Sequence, residues 1–93
     1  MLSKIPLDLG RVSRENTDKE ILRAAMIAEL DAVNLYEQLA AMTQNKDLKA
    51  VLMDIAKEEK THAGEFQALL LRYDPEQEKE LEEGRKEVEE LTE

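Results

Sequence analysis

The sequence contains no cysteine, which excludes disulfides, thiolate metal ligands and cysteine nucleophiles. Aromatic rings are scarce, being limited to Tyr36, Phe66 and Tyr73, and two prolines and three glycines leave few places for turns. Alanine, leucine, glutamate and lysine fill the remainder, a composition that reads as soluble and all-α. No apolar run approaches the roughly 18 residues of a membrane span, and no basic stretch followed by an apolar core opens the chain. A protein neither secreted nor membrane-embedded is expected, and a cytoplasmic location fits. Bases are in deficit, with 13 against 22 acids and a net charge of −9. That balance argues against nucleic acid as a partner and in favour of cations. The excess sits at one end, because residues 74–93 hold 10 acids and 3 bases. At 93 residues a lone domain buries only about 60–65% of its unfolded surface, so self-association is expected.

Residues 1–16 carry Pro6, Gly10 and four loosely spaced aliphatics, Leu2, Ile5, Leu7 and Leu9, without helical period. An extended arm is predicted there. Thr17 and Glu20 have the form of a capping box and predict a first helix to about Thr43. Gln44, Asn45 and Lys46 form a short polar turn, and Asp47 is placed to cap a second helix over about 47–72. Residues 17–73 therefore read as an antiparallel helical hairpin. Asp74 followed by Pro75, with Gln77 completing the pattern, starts a third helix over about 75–92. Its apolar stripe is only Leu81, Val88 and Leu91, too thin for a core helix. Residues 74–93 thus read as a short acidic C-terminal helix.

Three polar positions interrupt the apolar stripes of the hairpin. On the second helix Ile55, Glu59, His62, Phe66 and Leu69 fall within a sector roughly 80° wide, and on the first Leu22, Met26, Glu29, Val33, Tyr36 and Ala40 do the same. An unpartnered carboxylate on such a stripe costs several kcal/mol, of the order expected for a buried charge. Counted from the turn, Glu29 lies 16 residues before Asn45, and Glu59 and His62 lie 14 and 17 after it. All three therefore sit roughly 21–26 Å from the hairpin tip. A Glu-x-x-His pair from one helix and a lone Glu from another is half the ligand list of a carboxylate-bridged two-metal site in a four-helix bundle. A second copy about a two-fold axis supplies the other half. One glutamate per chain bridges the ions in the expected arrangement, and the other binds terminally with His62.

Oxygen-rich ligation with one imidazole per ion and no sulfur suits redox-capable iron or manganese better than structural zinc. Two iron ions per dimer are expected, with zinc or manganese as competitors and zinc as an inhibitor. Two ferrous ions held close together can each give an electron to one dioxygen. Tyr36, on the face of Glu29, is a candidate hydrogen-bond donor to a ligand carboxylate. Asp31, Glu58 and Glu65 lie toward the stripe edges and could guide incoming ions, although for each a plain solvated face is the simpler reading. Two other readings stay open: a non-enzymatic oligomerisation module with a buried polar layer, and a peroxide-reducing di-iron protein of the rubrerythrin kind.

Three segments also resemble one family. They are Glu29-Leu30-Asp31-Ala32-Val33 with Tyr36, then Glu58-Glu59-Lys60-Thr61-His62-Ala63, then Asp74-Pro75. Over most of residues 17–75 the chain is similar to the encapsulated ferritins of the ferritin-like superfamily. The resemblance implies a helical hairpin with a short C-terminal helix, dimers that form a ferroxidase centre, and a ring of dimers, a decamer, inside an encapsulin shell where iron is mineralised. It implies Glu29, Glu59 and His62 as iron ligands, Tyr36 as the neighbouring tyrosine and Asp31 as part of an entrance site for iron. The chain departs from the family pattern at Ala28, where a glutamate is usual, and at Leu35, where a tryptophan is usual. No cargo tail is legible after Val88, so a longer chain, such as one fused to its shell protein, or another loading route is implied.

Overall fold

Asn45 divides the long helical segment in two. Its side-chain oxygen accepts from the backbone N–H of Leu48 at 3.0 Å, and its own N–H donates to the Thr43 hydroxyl at 3.1 Å. The computed structural model describes residues 16–92 together with Lys4, Asp8 and Gly10, so the expected arm over residues 1–16 lies almost wholly outside the described residues. Three helices follow one another, α1 Thr17–Met42, α2 Lys46–Tyr73 and α3 Pro75–Thr92. No strand occurs among the described residues, and the all-α architecture is as the composition requires.

Two caps differ from the sequence reading. Thr17 is the first residue of α1, and Asn16 flanks it without a side-chain capping bond, so the box predicted at Thr17 does not hold the cap position. At α2 the cap is Asn45, and Asp47 falls in the first turn. Asparagine and aspartate have nearly equal capping preference, and the residue nearer the turn took the position. The third cap is where the pattern placed it, since Asp74 Oδ1 accepts from the Gln77 N–H at 3.1 Å.

α1 and α2 pack as an antiparallel pair along a narrow buried line. It consists of Leu22, Val33 and Ala40 from α1 and Ala56, Ala63 and Leu70 from α2. On α2 this line is rotated away from the predicted stripe. Leu69, on the predicted stripe, is exposed, as are Leu48 and Val51. Alanines at 56 and 63 let the two backbones approach closely, so the seam runs along the small residues and leaves the bulky stripe at its rim. Among the described residues, exposed large hydrophobics outnumber the six buried apolar ones. The radius of gyration is 16.4 Å, against about 12 Å for a compact chain of this length.

α3 buries no residue of its own and is held at its start. Asp74 is buried, and its Oδ2 accepts from the Arg23 guanidinium on α1 at 2.8 Å. The Gln77 N–H, and after it the Arg23 guanidinium, hold the Asp74 carboxyl below the usual aspartate range. Further along, Arg85 spans Glu82 and Glu89 on the solvent side. Among the described residues no helix is long and apolar enough to cross a membrane.

Candidate metal centre

Midway along the hairpin, α1 presents Glu29 to the turn of α2 that carries Glu59 and His62. His62 Nδ1 lies 3.5 Å from Glu29 Oε2 and 3.5 Å from Glu59 Oε2. Equal heights above the hairpin tip therefore become contact in space. The ligand-capable atoms of the three residues all lie within 4.8 Å of one another. The glutamates are mostly covered, with side-chain exposures of 20% for Glu29 and 19% for Glu59, while His62 is 46% exposed. One side of the group is open.

Glu29 Oε2 is buried without a hydrogen-bond partner. A carboxylate oxygen left so costs about 1–3 kcal/mol unless something binds it. Two donors each about 2.1 Å from a common ion at a tetrahedral angle stand about 3.4 Å apart, close to the spacing of the imidazole from either carboxylate. Donor chemistry, spacing and the orphaned oxygen all fit a divalent metal with oxygen-rich ligation. Glu29, Glu59 and His62 are the residues that could hold it.

The other candidates are placed less closely. Tyr36 is half-buried, two turns beyond Glu29 on α1. Asp31 is half-buried, and neither it nor Glu58 lines the cavity beside the cluster. That cavity is lined by Glu29, His62, Glu65, Phe66 and Leu69, so of the three stripe-edge acids only Glu65 reaches it. Lys60 was not anticipated: its ammonium lies 3.3 Å from Glu37 Oε2 on α1, tying the two helices together beside the centre. No spacing in the sequence marks that pair, because a lysine stem reaches residues well away from its own level.

A family model described as EncFtn-like matches residues 7–85, most of the chain. The chain belongs to the EncFtn-like family. Among EncFtn-like relatives, a "Ferritin-like-encapsulin shell fusion protein" of Pyrococcus furiosus is 59% identical over 73 residues, covering 78% of this chain and 21% of the relative. An "Encapsulin nanocompartment cargo protein EncC" of Myxococcus xanthus is 45% identical over 69 residues, covering 71% of this chain and 53% of the relative. The chain thus spans about a fifth and about half of the curated relatives it matches. The crystal structure of an encapsulated ferritin domain from Pyrococcus furiosus superposes with a TM-score of 0.83 at 47% identity, covering 96% of each chain. This EncFtn-like chain therefore shares the fold of a solved encapsulated ferritin domain over nearly its whole length.

Proposed function

We propose that two copies of this chain meet about a two-fold axis, complete a ferritin-like four-helix bundle, and oxidise ferrous iron with dioxygen between them. The observation that carries this reading is Glu29 Oε2, buried and unbonded at 3.5 Å from His62 Nδ1. One chain supplies one lone Glu and one Glu-x-x-His, and an isologous partner supplies the same again, which completes the set for two ions. The bulky rim of α2, exposed at Leu48, Val51 and Leu69, gives the partner apolar surface to cover.

Ferrous ions are the substrate in this reading. Glu29, Glu59 and His62 of each chain hold them, and the carboxylates offset part of their charge. Two ferrous ions each release one electron to one dioxygen, which takes up two protons and leaves as hydrogen peroxide. The apolar rim, once covered, excludes bulk water from the donors and strengthens their hold on the ions. His62 stays the more accessible ligand, on the side from which substrate arrives. Tyr36, two turns along the same face of α1, is the candidate hydrogen-bond donor to a ligand carboxylate.

One relative is a ferritin-like-encapsulin shell fusion protein and another an encapsulin nanocompartment cargo protein, and this supports placing the oxidation inside such a nanocompartment, where ferric product is stored. Dimers joining into a ring are part of the same reading. A second apolar groove, formed by Met26, Ile27 and Leu30 of α1, Leu70 of α2 and Leu81 of α3, offers surface for that further contact. Apo-protein mixed with ferrous salt in air tests the reading. Rapid dioxygen uptake with new ferric absorbance supports it. Faster turnover with peroxide would identify a peroxidase instead, and no effect of iron on absorbance or assembly would leave only a helical oligomerisation module.

A further inference from the structure

The seam between α1 and α2 has two sides, and the centre occupies one of them. Relative to the buried line of Ala56 and Ala63 on α2, at about 100° per residue, Glu59 and His62 fall about 50° and 110° to one side and Lys60 about 50° to the other. On α1, relative to the buried line of Leu22, Val33 and Ala40, Glu29 stands about 30° to one side and Glu37 about 50° to the other. Glu29 meets His62 on the first side. On the second, Lys60 Nζ meets Glu37 Oε2 at 3.3 Å. Lys60 lies 15 residues after Asn45 and Glu37 lies 8 before it, a difference in height of about 10 Å. Side chains lean towards the N-terminus of their own helix, so Lys60 reaches towards the turn, Glu37 reaches away from it, and the two meet.

Ala56 and Ala63, which carry the α2 side of the seam at this level, form shallow ridges and give weak resistance to rotation of the helix. Glu29 and Glu59 have ligand-capable oxygens within 4.8 Å of one another, and before a cation is bound their charges repel and push the near side of the seam apart. We propose that Lys60 and Glu37 are positioning residues for the metal centre. A roll of α2 in one direction stretches their ion pair, and a roll in the other drives its charges into the apolar seam, where they lose water. The pair thereby sets the angle at which Glu59 and His62 face Glu29 before the metal substrate arrives. This rests on the ferroxidase reading of the centre. With side-chain exposures of 60% and 41% the pair adds little to stability, so its loss changes where the donors stand more than it changes the melting of the helices.

The direction of the effect separates this role from plain electrostatics. Removing a positive charge near a cation site tightens binding through space, whereas loss of positioning weakens it. Co(II) titration of the full chain, followed by visible absorbance, reads both affinity and ligand geometry. Lys60→Met keeps most of the apolar stem and removes the charge. Its Co(II) affinity should fall about 2- to 5-fold, the range that an ion pair of this exposure can carry, with a changed absorption band. Lys60→Glu and Glu37→Lys should each weaken binding further, and the two combined, which restore an opposite pair, should return affinity and spectrum towards wild type. Lys86→Met, which makes the same change at the Glu83 pair within α3, should bind as wild type does. Circular dichroism should stay close to wild type throughout. Co(II) affinity in Lys60→Met equal to or above that of wild type would overturn the role and leave the centre intact, as would a double variant no better than the weaker single one. Absence of tight Co(II) binding in wild type would instead remove the ferroxidase reading, and the positioning role with it.

Discussion

Glu29 and His62 belong to different helices, and yet His62 Nδ1 stands 3.5 Å from Glu29 Oε2 at a height that both residues reach by counting from one turn. The oxygen is buried and has no hydrogen bond. Left so, the oxygen costs about 1–3 kcal/mol of lost hydration, which a bound cation would offset.

Glu29→Leu should accordingly separate stability from binding. With chelator present, replacing the orphaned carboxylate by an apolar side chain of similar size should raise stability by about 1–3 kcal/mol. The same variant should lose metal affinity by at least about 100-fold, the upper range seen when even an outer partner of a metal ligand is removed. Denaturant melts with and without Mn(II) measure both. A Glu29→Leu chain that is less stable without metal and still stabilised by Mn(II) would contradict the assignment.

Removing His62 tests the chemistry more directly. His62→Ala should abolish rapid ferrous oxidation, with far-ultraviolet circular dichroism close to wild type, because an exposed imidazole contributes little to the helix. Near-normal oxidation by His62→Ala would count against the centre. Zinc added before iron should slow oxidation in wild type, since it competes for the same donors.

Metal and assembly should be linked. If two chains share the ions, Mn(II) favours the dimer by mass action, by about 2.7 kcal/mol at a free metal concentration 100 times its dissociation constant. Sedimentation or native mass measurements at micromolar protein should show the shift, and chelator should reverse it. A molecular mass indifferent to metal would mean that the donors of two chains do not meet.

At the far end of the hairpin, Asp74 should make the placement of α3 dependent on pH. Its carboxyl is held below the ordinary value of 3.8, chiefly by the Gln77 N–H and then by Arg23. The folded form therefore gains stability from the ionised group above that value, and loses it as pH falls through the lower folded value. Acid titration followed by small-angle scattering should show α3 loosening in wild type only as pH falls below the ordinary aspartate value of 3.8, as the carboxylate takes up its proton. Asp74→Asn should remove most of that acid response and lower the thermal midpoint at neutral pH, because the charged acceptor for Arg23 is gone.

Gly84 gives a simpler expectation. A Cβ built at this position meets nothing within 4 Å, and the residue lies inside α3. Gly84→Ala should stabilise α3 by about 0.5–1 kcal/mol through helix propensity alone. Increased helicity with unchanged metal binding is the outcome to look for.

The sequence by itself determined the three helices, because a 3.6-residue apolar period and polar breaks at Asn45 and Asp74 depend only on neighbouring residues. It also determined that Glu29, Glu59 and His62 stand at one level, since helical rise is constant and one short turn fixes the origin for both helices. Tertiary structure decided which line of α2 is buried. Alanine at 56 and 63 carries little hydrophobic signal in a sequence, yet small side chains set how closely two helices approach, and the seam followed them. The Arg23–Asp74 and Lys60–Glu37 pairs were likewise decided in three dimensions, because long basic side chains find their acids through the angle and separation of helices, which no local period encodes. Glu65 was set apart from Asp31 and Glu58 in the same way, by a cavity that exists only once α1 and α2 are packed.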